Sequence, residues 1–427
     1  MMAGSARVVG IGMALALTAA SAAAQQAVTL PARDTPLREP MTNVWAVGTD
    51  EGRDWEMFAG VRGVAFDRQD NVYVLDQQNT RVVVFDRAGR YLRQFGKKGQ
   101  GPGELSLPLQ VAVTSDGSVV VSDLGNRAFI VFTAAGEYVR NVPYGDDVGM
   151  LAITGGGLYA DPRGGVVARS NVRIQPDNPD QENVTTIFRQ PLTGTGAASS
   201  LFRLTLPKPQ VQSTPVSGGA QRVMVRSMDP IFGARPSFGV LPDGGLVVHH
   251  ETAYNVKVMD GNGRAVRTLR RNIQPRRVTK QDQEAWQERT REAQASGGGP
   301  MVIAMTQGSG GNNVSFGAAG SAGGGAGGPT PPVVRMNIED MQWAEVMSVV
   351  TNLRTDPTGR IWIQRRHADG RDAGPIDLVS SDGRYIGTLP AQALPDAVSA
   401  SGLAAYVVRD DVGIERVVVR RLPAAWR

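Results

Sequence analysis

The feature that most constrains the fold of this chain is an internal repeat. Residues 63–95 and residues 110–142 carry the same pattern, in which short apolar or β-branched strands alternate with turns rich in Asp and Gly. Weaker copies begin at Leu241 and at Asp356. A period of this length is typical of architectures in which neighbouring units complete each other's core. The residues that recur 47 positions apart are Asp76 and Asp123, Asn79 and Asn126, Phe85 and Phe132, Gly89 and Gly136, and Tyr91 and Tyr138.

Each repeat has the pattern of a four-stranded antiparallel meander that cannot bury both of its faces alone. Residues 82–85 (VVVF) are apolar at consecutive positions, so both faces of that strand need cover. Four-stranded sheets arranged radially around an axis cover each other and leave only short outer edges. A linear solenoid would need polar terminal caps, which the sequence lacks. The pattern therefore predicts an all-β protein with the architecture of a β-propeller.

The number of repeats predicts six blades and a ring closed by the two ends of the chain. The first five blades are expected at residues 61–96, 108–142, 152–206, 234–272 and 346–390. The sixth contains two strong strands at residues 403–421 and a weak one at 397–399, so it lacks an outer strand. Residues 43–49 (NVWAVGT) alternate in polarity, and we expect them to supply that strand, with Val47 paired near Val418. Closure should contribute strongly to stability, since opening the ring exposes two blade faces at roughly 25 cal/mol per Å².

The amino terminus has the features of a secretory leader. Arg7 precedes a short apolar stretch, and an A-x-A cleavage signal ends at Ala24. Residues 1–24 are therefore predicted to be a signal peptide, 25–42 a lead-in and 43–427 the propeller. The mature protein is expected in the periplasm or outside the cell. No other segment has about 18 uninterrupted apolar residues, so no membrane span is expected.

Two inserts interrupt the predicted ring. Residues 278–294 are expected to form a surface helix, because Thr279 is a good N-cap, Asp282 follows three positions later and no Gly or Pro intervenes. Trp286 is the apolar residue expected to fix this helix to the propeller. Residues 296–332 contain 13 Gly and are expected to form a disordered loop, because such a segment buries little apolar surface.

Composition narrows the chemistry that this chain can perform. The absence of Cys excludes disulfides, thiolate metal sites and cysteine nucleophiles, and only three His are present. The net charge of +5 arises from 45 basic and 40 acidic residues and is not gathered into a basic stripe, so nucleic acid is not an expected partner. The expected partner is a protein, peptide or saccharide, and the protein is expected to be a monomer.

Polar residues at strand ends are candidates for a ligand site at the mouth of the central channel. Asp76 and Asp123 occupy equivalent places in successive blades, where carboxylates could bind Ca²⁺, the one candidate cofactor. The same residues are also suited to side-chain-to-backbone turns, which is the structural alternative. Arg365 and Arg366 lie near a strand end, and a guanidinium suits a carboxylate or phosphate. The candidate ligand-binding residues are Arg62, Asp76, Asp123, Arg169, His250 and Arg365.

No catalytic residue and no metal ligand is assigned from the sequence. His249 and His250 are adjacent on a strand, so their side chains point to opposite faces and cannot both reach one metal. A site that combines one of them with His367 or a carboxylate at the channel mouth is the alternative. No G-x-S-x-G motif is present, and the Gly-rich segment at 96–104 lacks the ending of a phosphate loop.

Part of the chain resembles a known repeat family. Residues 75–113 and 121–132 (VSDLGNRAFIVF) resemble the NHL-type propeller repeat, in which D-x-x-N-x-R precedes a β run and an F-G-x-x-G-x-G-P-G linker follows. The whole chain is similar to exported bacterial six-bladed propellers of this NHL-like group. The resemblance implies the fold but does not imply one activity, because families that share this scaffold include binders, lyases and lactone hydrolases.

These observations favour an exported, non-catalytic module that binds a ligand or a protein. The alternative is a divalent-cation-dependent lyase or lactonase-like hydrolase with its site at the central channel mouth. The enzyme would need three or more oxygen or imidazole ligands that converge within about 2.6 Å of one point.

Overall fold

Two strands, β1 (Gln26–Thr29) and β2 (Thr42–Val47), precede the first repeat in the computed structural model of this protein. The predicted signal peptide at residues 1–24 lies outside the residues that the structure describes. Among the described residues, no helix combines the length and the apolar content that crossing a bilayer requires. The described residues are 26–144, 157–171, 182–194, 196–206, 210–215, 221–226, 230–295, 301–308, 311–318 and 341–426.

The first three blades each contain four antiparallel strands in sequence order. Blade one consists of β3 (Val61–Phe66), β4 (Val72–Asp76), β5 (Arg81–Phe85) and β6 (Tyr91–Phe95). Blade two consists of β7 (Pro108–Val113), β8 (Val119–Asp123), β9 (Ala128–Phe132) and β10 (Tyr138–Pro143). Blade three consists of β11 (Leu158–Ala160), β12 (Val166–Asn171), β13 (Asn183–Gln190) and β14 (Ser199–Leu206).

Blades four to six follow after two short strands of an insert, β15 (Gln210–Pro215) and β16 (Gln221–Arg226). Blade four consists of β17 (Ser237–Val240), β18 (Leu246–His249), β19 (Asn255–Met259) and β20 (Ala265–Arg270). A second insert contains α1 (Lys280–Ala295), β21 (Met301–Gly308) and β22 (Gly311–Ala318). Blade five consists of β23 (Val350–Thr355), β24 (Arg360–Arg365), β25 (Ile376–Ser380) and β26 (Tyr385–Leu389). Blade six contains β27 (Ala397–Val398), β28 (Leu403–Arg409) and β29 (Glu415–Arg421).

The hydrophobic core lies between neighbouring blades, as the consecutive apolar runs predict. Every residue of β4 and β5 is buried. One cluster joins Tyr73 of blade one to Ile130 of blade two, and another joins Val74 of blade one to Val417 of blade six. Each blade therefore covers the face of the next one. The predicted six-bladed β-propeller is confirmed.

The sixth blade is completed by a strand from the other end of the chain. Strand β2 pairs antiparallel with β29, so that Ala46 lies opposite Val418 and Val47 lies opposite Val417. Trp45 and Val47 pack against the core between blades six and one. The predicted closure of the ring by an N-terminal strand is therefore confirmed.

The segment before β2 contacts the outer edges of two further blades. Strand β1 pairs in parallel with β20 and adds a fifth strand to blade four. The N–H of Leu37 donates to the carbonyl of Thr388 at 2.9 Å, and the N–H of Thr388 donates to the carbonyl of Thr35 at 2.8 Å, which connects the segment to blade five. We call residues 26–47 the N-terminal belt. The sequence assigned most of it to a lead-in, because backbone hydrogen bonds to an outer edge leave no side-chain pattern.

Helix α1 occupies the place where the second insert was expected to be helical. Thr279 donates to the carboxylate of Asp282 from its N–H at 2.9 Å and from its hydroxyl at 2.7 Å. The N–H of Asp282 donates back to the hydroxyl of Thr279 at 3.3 Å. This reciprocal cap starts the helix at the residue that the sequence indicated.

The two inserts share an additional sheet, in the order β15-β16-β21-β22. Disorder was expected for residues 296–332, and over Met301–Gly308 and Gly311–Ala318 this expectation is wrong, because both segments are strands that pair with each other. The first of them contains a local run of strand-forming apolar residues, which the Gly content of the whole loop concealed. The remainder of the loop lies outside the described residues.

Candidate functional site

Asp76 and Asp123, two of the predicted site residues, are the last residues of the second strands of blades one and two. In blade one, Asp76 is fully buried. Its Oδ1 accepts hydrogen bonds from the N–H groups of Ala59 and Gly60, both at 3.1 Å. Its Oδ2 accepts from Asn79 Nδ2 at 2.7 Å and from Arg81 Nε at 3.2 Å. The carboxylate thereby connects the loop that enters the blade to the turn that follows β4.

Asp123 makes the equivalent contacts in blade two. It is also fully buried, and its carboxylate accepts from the N–H groups of Ser106 at 2.8 Å, Leu107 at 3.0 Å and Asn126 at 2.9 Å. These are the side-chain-to-backbone contacts of the structural alternative. Ca²⁺ binding at these positions stays a prediction, and it would require the cation to compete with backbone donors.

Arg62 and Arg169 contact neighbouring loops. Arg62 is exposed, and its Nε donates to Gln77 Oε1 at 2.9 Å. Gln77 Nε2 in turn donates to the carbonyl of Pro108 in blade two at 3.0 Å. Arg169 is half-buried and donates from Nη1 to the carbonyl of Pro236, just before blade four. These contacts connect successive blades, and ligand binding by either arginine stays a prediction.

The two adjacent histidines lie in different environments. His249 is fully buried, and its Nδ1 lies 3.1 Å from the carbonyl oxygen of Asn255. His250 is half-buried, and its Nε2 lies 3.0 Å from Lys257 Nζ. Burial, and next the charge of Lys257, lower the pKa of His250, so this imidazole is neutral at neutral pH. The pair does not present two imidazoles to one point.

The third histidine contacts a carboxylate of its own turn. His367 Nδ1 lies 2.7 Å from Asp369 Oδ1 in the turn that follows β24. Across the described residues, no three His, Asp or Glu side chains gather into a group that could hold a metal ion.

The buried imidazole of His249 predicts a pH dependence of stability. Burial lowers the pKa of His249 from its usual 6.5 to about 4. The unfolded chain therefore takes up this proton at a higher pH than the folded protein does. The contribution of the neutral imidazole is complete above pH 6.5 and is lost as the pH falls toward 4. The loss amounts to roughly 3 kcal/mol.

We expect the free energy of unfolding in urea to decrease across this pH range, and to decrease less steeply in a His249→Gln variant. The difference in slope should correspond to about one proton. Equal slopes in the two proteins would show that His249 does not titrate as its burial requires.

Arg365 belongs to a buried network of charges between the belt and blades four and five. Asp34 of the belt accepts from Arg365 Nη2 at 2.8 Å and from Arg271 Nη2 at 2.6 Å. Arg271 Nη1 also donates to Asp377 Oδ2 at 2.7 Å, and both of these side chains are fully buried. The hydroxyl of Tyr254 donates to the same carboxylate at 3.0 Å. Arg365 is thus occupied by carboxylates of the chain itself.

The charges in this network stabilise one another. Burial acts to raise the pKa of Asp34, but the hydrogen bond and charge of Arg365, together with Arg271, outweigh it and lower this pKa. Burial acts to lower the pKa of Arg271, but its hydrogen bond and ion pair with Asp377 outweigh it and raise this pKa. Both groups are therefore charged at neutral pH, and the ion pairs hold the belt against the propeller.

A separate pocket of about 170 Å³ lies between α1 and the loops of blades four and five. Its charged groups come from the segment before β17, from α1 and from the turn after β24. Four arginines and one aspartate make it strongly electropositive. We call it the arginine pocket. Its charged and largest aromatic lining residues are Arg235, Trp286, Arg289, Arg366, Arg371 and Asp372.

Arg366 is the fixed member of this pocket. Its side chain is 8% exposed, and its guanidinium pairs with Asp372 at 2.5 Å. It also donates to the carbonyls of Ser348 at 3.0 Å, Gly370 at 3.2 Å and Phe232 at 3.4 Å. Burial lowers the pKa of Arg366, the charge and hydrogen bond of Asp372 act to raise it, and the charges of Arg235 and Arg276 act in the same direction as burial. The propeller side of the pocket is therefore rigid and positively charged.

The other three arginines are more available to a ligand. Arg235 is 53% exposed and lies 3.9 Å from Asp372. Arg371 donates to Asp369 Oδ2 at 2.8 Å on an exposed turn. The guanidinium of Arg289, on α1, has no hydrogen bond or ion pair with any residue in the part of the chain that the structure describes. An anion in the pocket would supply the partner that this guanidinium lacks.

Aromatic packing positions α1 beside the pocket. The rings of Trp286 and Trp343 lie 5.5 Å apart at 89°, and those of Phe232 and Trp343 lie 5.8 Å apart. The prediction that Trp286 fixes the helix to the propeller is confirmed. Arg289 is three positions after Trp286 and thus lies on the same helix face. The packing that holds α1 in place therefore also places Arg289 at the pocket.

The sequence indicated Arg366 as a candidate anion-binding group at a strand end. It did not predict that the other three arginines lie beside it. Arg235, Arg289 and Arg371 come from three separate segments and form no motif. The one available signal was the helical insert, whose single large apolar residue, Trp286, indicated which face is turned toward the propeller.

Residues 58–158 match a protein family described as 6-bladed beta-propeller. This segment contains blades one and two and the beginning of blade three. The match agrees with the blade count of the structure and with the resemblance that the sequence motifs indicated.

Part of the chain is also similar to several curated proteins. It is 33% identical over 84 residues to the E3 ubiquitin-protein ligase NHLRC1 of Homo sapiens, which is 19% of this chain and 21% of that protein. It is 40% identical over 70 residues to the E3 ubiquitin-protein ligase TRIM32 of Homo sapiens, which is 16% and 11% of the two chains. For the protein brain tumor of Drosophila melanogaster, the identity is 33% over 85 residues, 19% and 8% of the two chains. The chain thus spans about a fifth or less of the length of these relatives.

Two solved structures to which this chain is similar come from bacteria. A protein of Bacteroides fragilis described as exported has a TM-score of 0.43 and 8% identity, and the alignment covers 93% of this chain and all of the other. A gluconolactonase of Xanthomonas campestris has a TM-score of 0.38 and 12% identity, with 90% and 98% of the two chains covered. Similarity at this level carries no argument about activity.

Proposed function

We propose that this protein is an exported, non-catalytic binding module that takes a small anionic ligand in the arginine pocket. The observation that carries the proposal is Arg289, a guanidinium without a partner among the described residues, in a pocket that already holds three other arginines. Four guanidinium groups share one carboxylate of the pocket lining, Asp372, so an anion would offset the repulsion that remains between them. Export follows from the predicted signal peptide, and the ligand would then be met in the periplasm or outside the cell.

The strength of the expected interaction follows from the groups available. A hydrogen bond to a charged group contributes about 1.5–3 kcal/mol. Arg366 is held rigid by three carbonyls and Asp372, so little conformational entropy is lost when a ligand approaches it. Arg235 and Arg289 can close on the ligand from opposite sides of the pocket, one on the propeller and one on α1.

Binding is favoured over catalysis by the way in which the chain uses its buried carboxylates. Asp76 and Asp123 accept hydrogen bonds from backbone amides, and Asp377 accepts from Arg271 and Tyr254. These carboxylates are therefore occupied by donors of the chain itself, and a cation would have to compete with those donors.

The proposal is tested by calorimetric titration of the mature protein with acetate, succinate, glucuronate and inorganic phosphate, with glucose as the neutral control. We expect at least one anion to bind saturably and to weaken as salt is added. An Arg289→Gln variant should bind that anion at least about tenfold more weakly. The matched control is Arg264→Gln, which removes an exposed arginine from the turn between β19 and β20 and should leave the affinity unchanged.

Two results would overturn the proposal. One is the absence of saturable binding by every anion. The other is an affinity that Arg289→Gln and Arg264→Gln leave equally unaffected. Ca²⁺-stimulated hydrolysis of a lactone would instead support the enzyme alternative.

A further inference from the structure

We propose that the ligand of the arginine pocket is a small aromatic monocarboxylate that carries a hydroxyl group. This inference rests on the proposed function and specifies the ligand of the same site. It follows from the size of the pocket, from its aromatic wall and from the single acidic side chain among its arginines.

The volume of the pocket limits the ligand to about one ring. Pockets for drug-sized molecules have volumes of about 300–1,000 Å³. The arginine pocket, at about 170 Å³, is smaller than this range. A six-membered ring with one carboxylate is of a size that this pocket can hold, whereas a peptide or an oligosaccharide could place only one of its groups there.

The aromatic wall favours a flat ring over a saturated one. Trp286 lines the pocket and is half-buried, so part of its indole is available to a ligand. Its contact with Trp343 at 89° fixes the orientation of the indole. Aromatic pairs are more stable than their buried area alone predicts, and guanidinium groups also stack on aromatic rings. Inorganic phosphate and acetate have no ring that could pack against this apolar surface.

The position of Asp372 indicates a hydroxyl on the ligand. Its Oδ1 accepts from Arg366 at 2.5 Å, whereas the nearest partner of its Oδ2 in the described residues is Arg235 at 3.9 Å. This second oxygen is therefore free to accept a hydrogen bond, and the side chain is 62% exposed. A ligand hydroxyl can donate to it while the ligand carboxylate contacts the arginines.

The experiment compares four matched probes by calorimetry on the mature protein. These are 4-hydroxybenzoate, benzoate, cyclohexanecarboxylate and 4-hydroxybenzyl alcohol. We expect 4-hydroxybenzoate to bind most tightly, and benzoate to bind about two- to tenfold more tightly than cyclohexanecarboxylate. The alcohol, which lacks the carboxylate, should not bind measurably.

Two variants separate the contributions of the ring and the hydroxyl. Trp286→Leu should remove the preference for benzoate over cyclohexanecarboxylate, and Trp286→Phe should retain part of it. Asp372→Ala should abolish the preference for 4-hydroxybenzoate over benzoate. Because Asp372→Ala also removes a negative charge from the pocket, it should raise the affinity for benzoate itself.

The outcomes distinguish this inference from the proposed function. If acetate or phosphate binds in an Arg289-dependent manner while benzoate and cyclohexanecarboxylate bind equally, the aromatic ligand is wrong and anion binding stands. If benzoate and 4-hydroxybenzoate bind equally in the wild-type protein, the hydroxyl contact is wrong. If no anion binds at all, both proposals fail together.

Discussion

A protein that begins at residue 48 is expected not to fold. This truncation removes β2 and so leaves the edge of β29 unpaired and the core between blades six and one open. Trp45 and Val47 are partly buried against that core, and removing them also exposes the fully buried side chains of Val417 and Val419 that they help to cover, where full burial is worth about 1.5–3 kcal/mol for each apolar side chain. Together with the lost strand pairing, this is comparable to the total stability of about 5–15 kcal/mol that folded proteins have.

The matched control is a protein that begins at residue 41. It keeps β2 but lacks β1 and Asp34, so it loses the contacts of the belt with blades four and five. We expect this protein to unfold cooperatively in urea at a lower midpoint than the protein that begins at residue 26. The longer truncation should show neither a cooperative transition nor a β-sheet circular dichroism spectrum. Cooperative unfolding of both truncations at the same midpoint would show that β2 does not close the ring.

Substitution of Asp377 by alanine is expected to cost about 3–5 kcal/mol of stability. The change leaves the fully buried guanidinium of Arg271 without its closest buried carboxylate, and it removes the acceptor of Tyr254 and Thr388. Asp34 cannot replace it, because its side chain is 42% exposed on the belt. The loss is measured as the change in the free energy of unfolding in urea.

A double variant, Arg271→Met with Asp377→Leu, tests the cause of that loss. Replacement of a buried ion pair by apolar residues of similar size is often close to neutral. We therefore expect the double variant to recover much of the stability that Asp377→Ala loses. If it is less stable than the single variant, packing rather than the unpaired charge determines the effect.

The fold of this chain could be predicted because the sequence patterns that specify the blades are local and repeated. Asp76 and Asp123 recur at one spacing, and the apolar run at residues 82–85 requires cover on both faces. Closure could be predicted from the same logic, since residues 43–49 have the pattern of a strand that the last blade lacks. Periodicity and strand pattern therefore determine the blades and their number.

The functional site depends on contacts that no local pattern contains. Arg235, Arg289 and Arg366 meet because α1 folds back over the loops of two blades, and Asp34 meets Arg271 because the belt follows the outside of the ring. These contacts depend on the tertiary arrangement. The sequence alone does not distinguish an arginine in a pocket from an arginine at a rim or at the edge of a sheet. For the same reason the sequence did not predict which backbone groups donate to Asp76, and Ca²⁺ binding there stays a prediction.

We propose that an anion occupies the arginine pocket between α1 and blades four and five. The most direct measurement is a crystal structure of the mature protein soaked with the anion that binds most tightly in calorimetry. We expect ligand density in contact with Arg289 and Arg235 and beside Trp286. Density at the channel mouth near Asp123 and His250, with the arginine pocket empty at a saturating concentration, would contradict it.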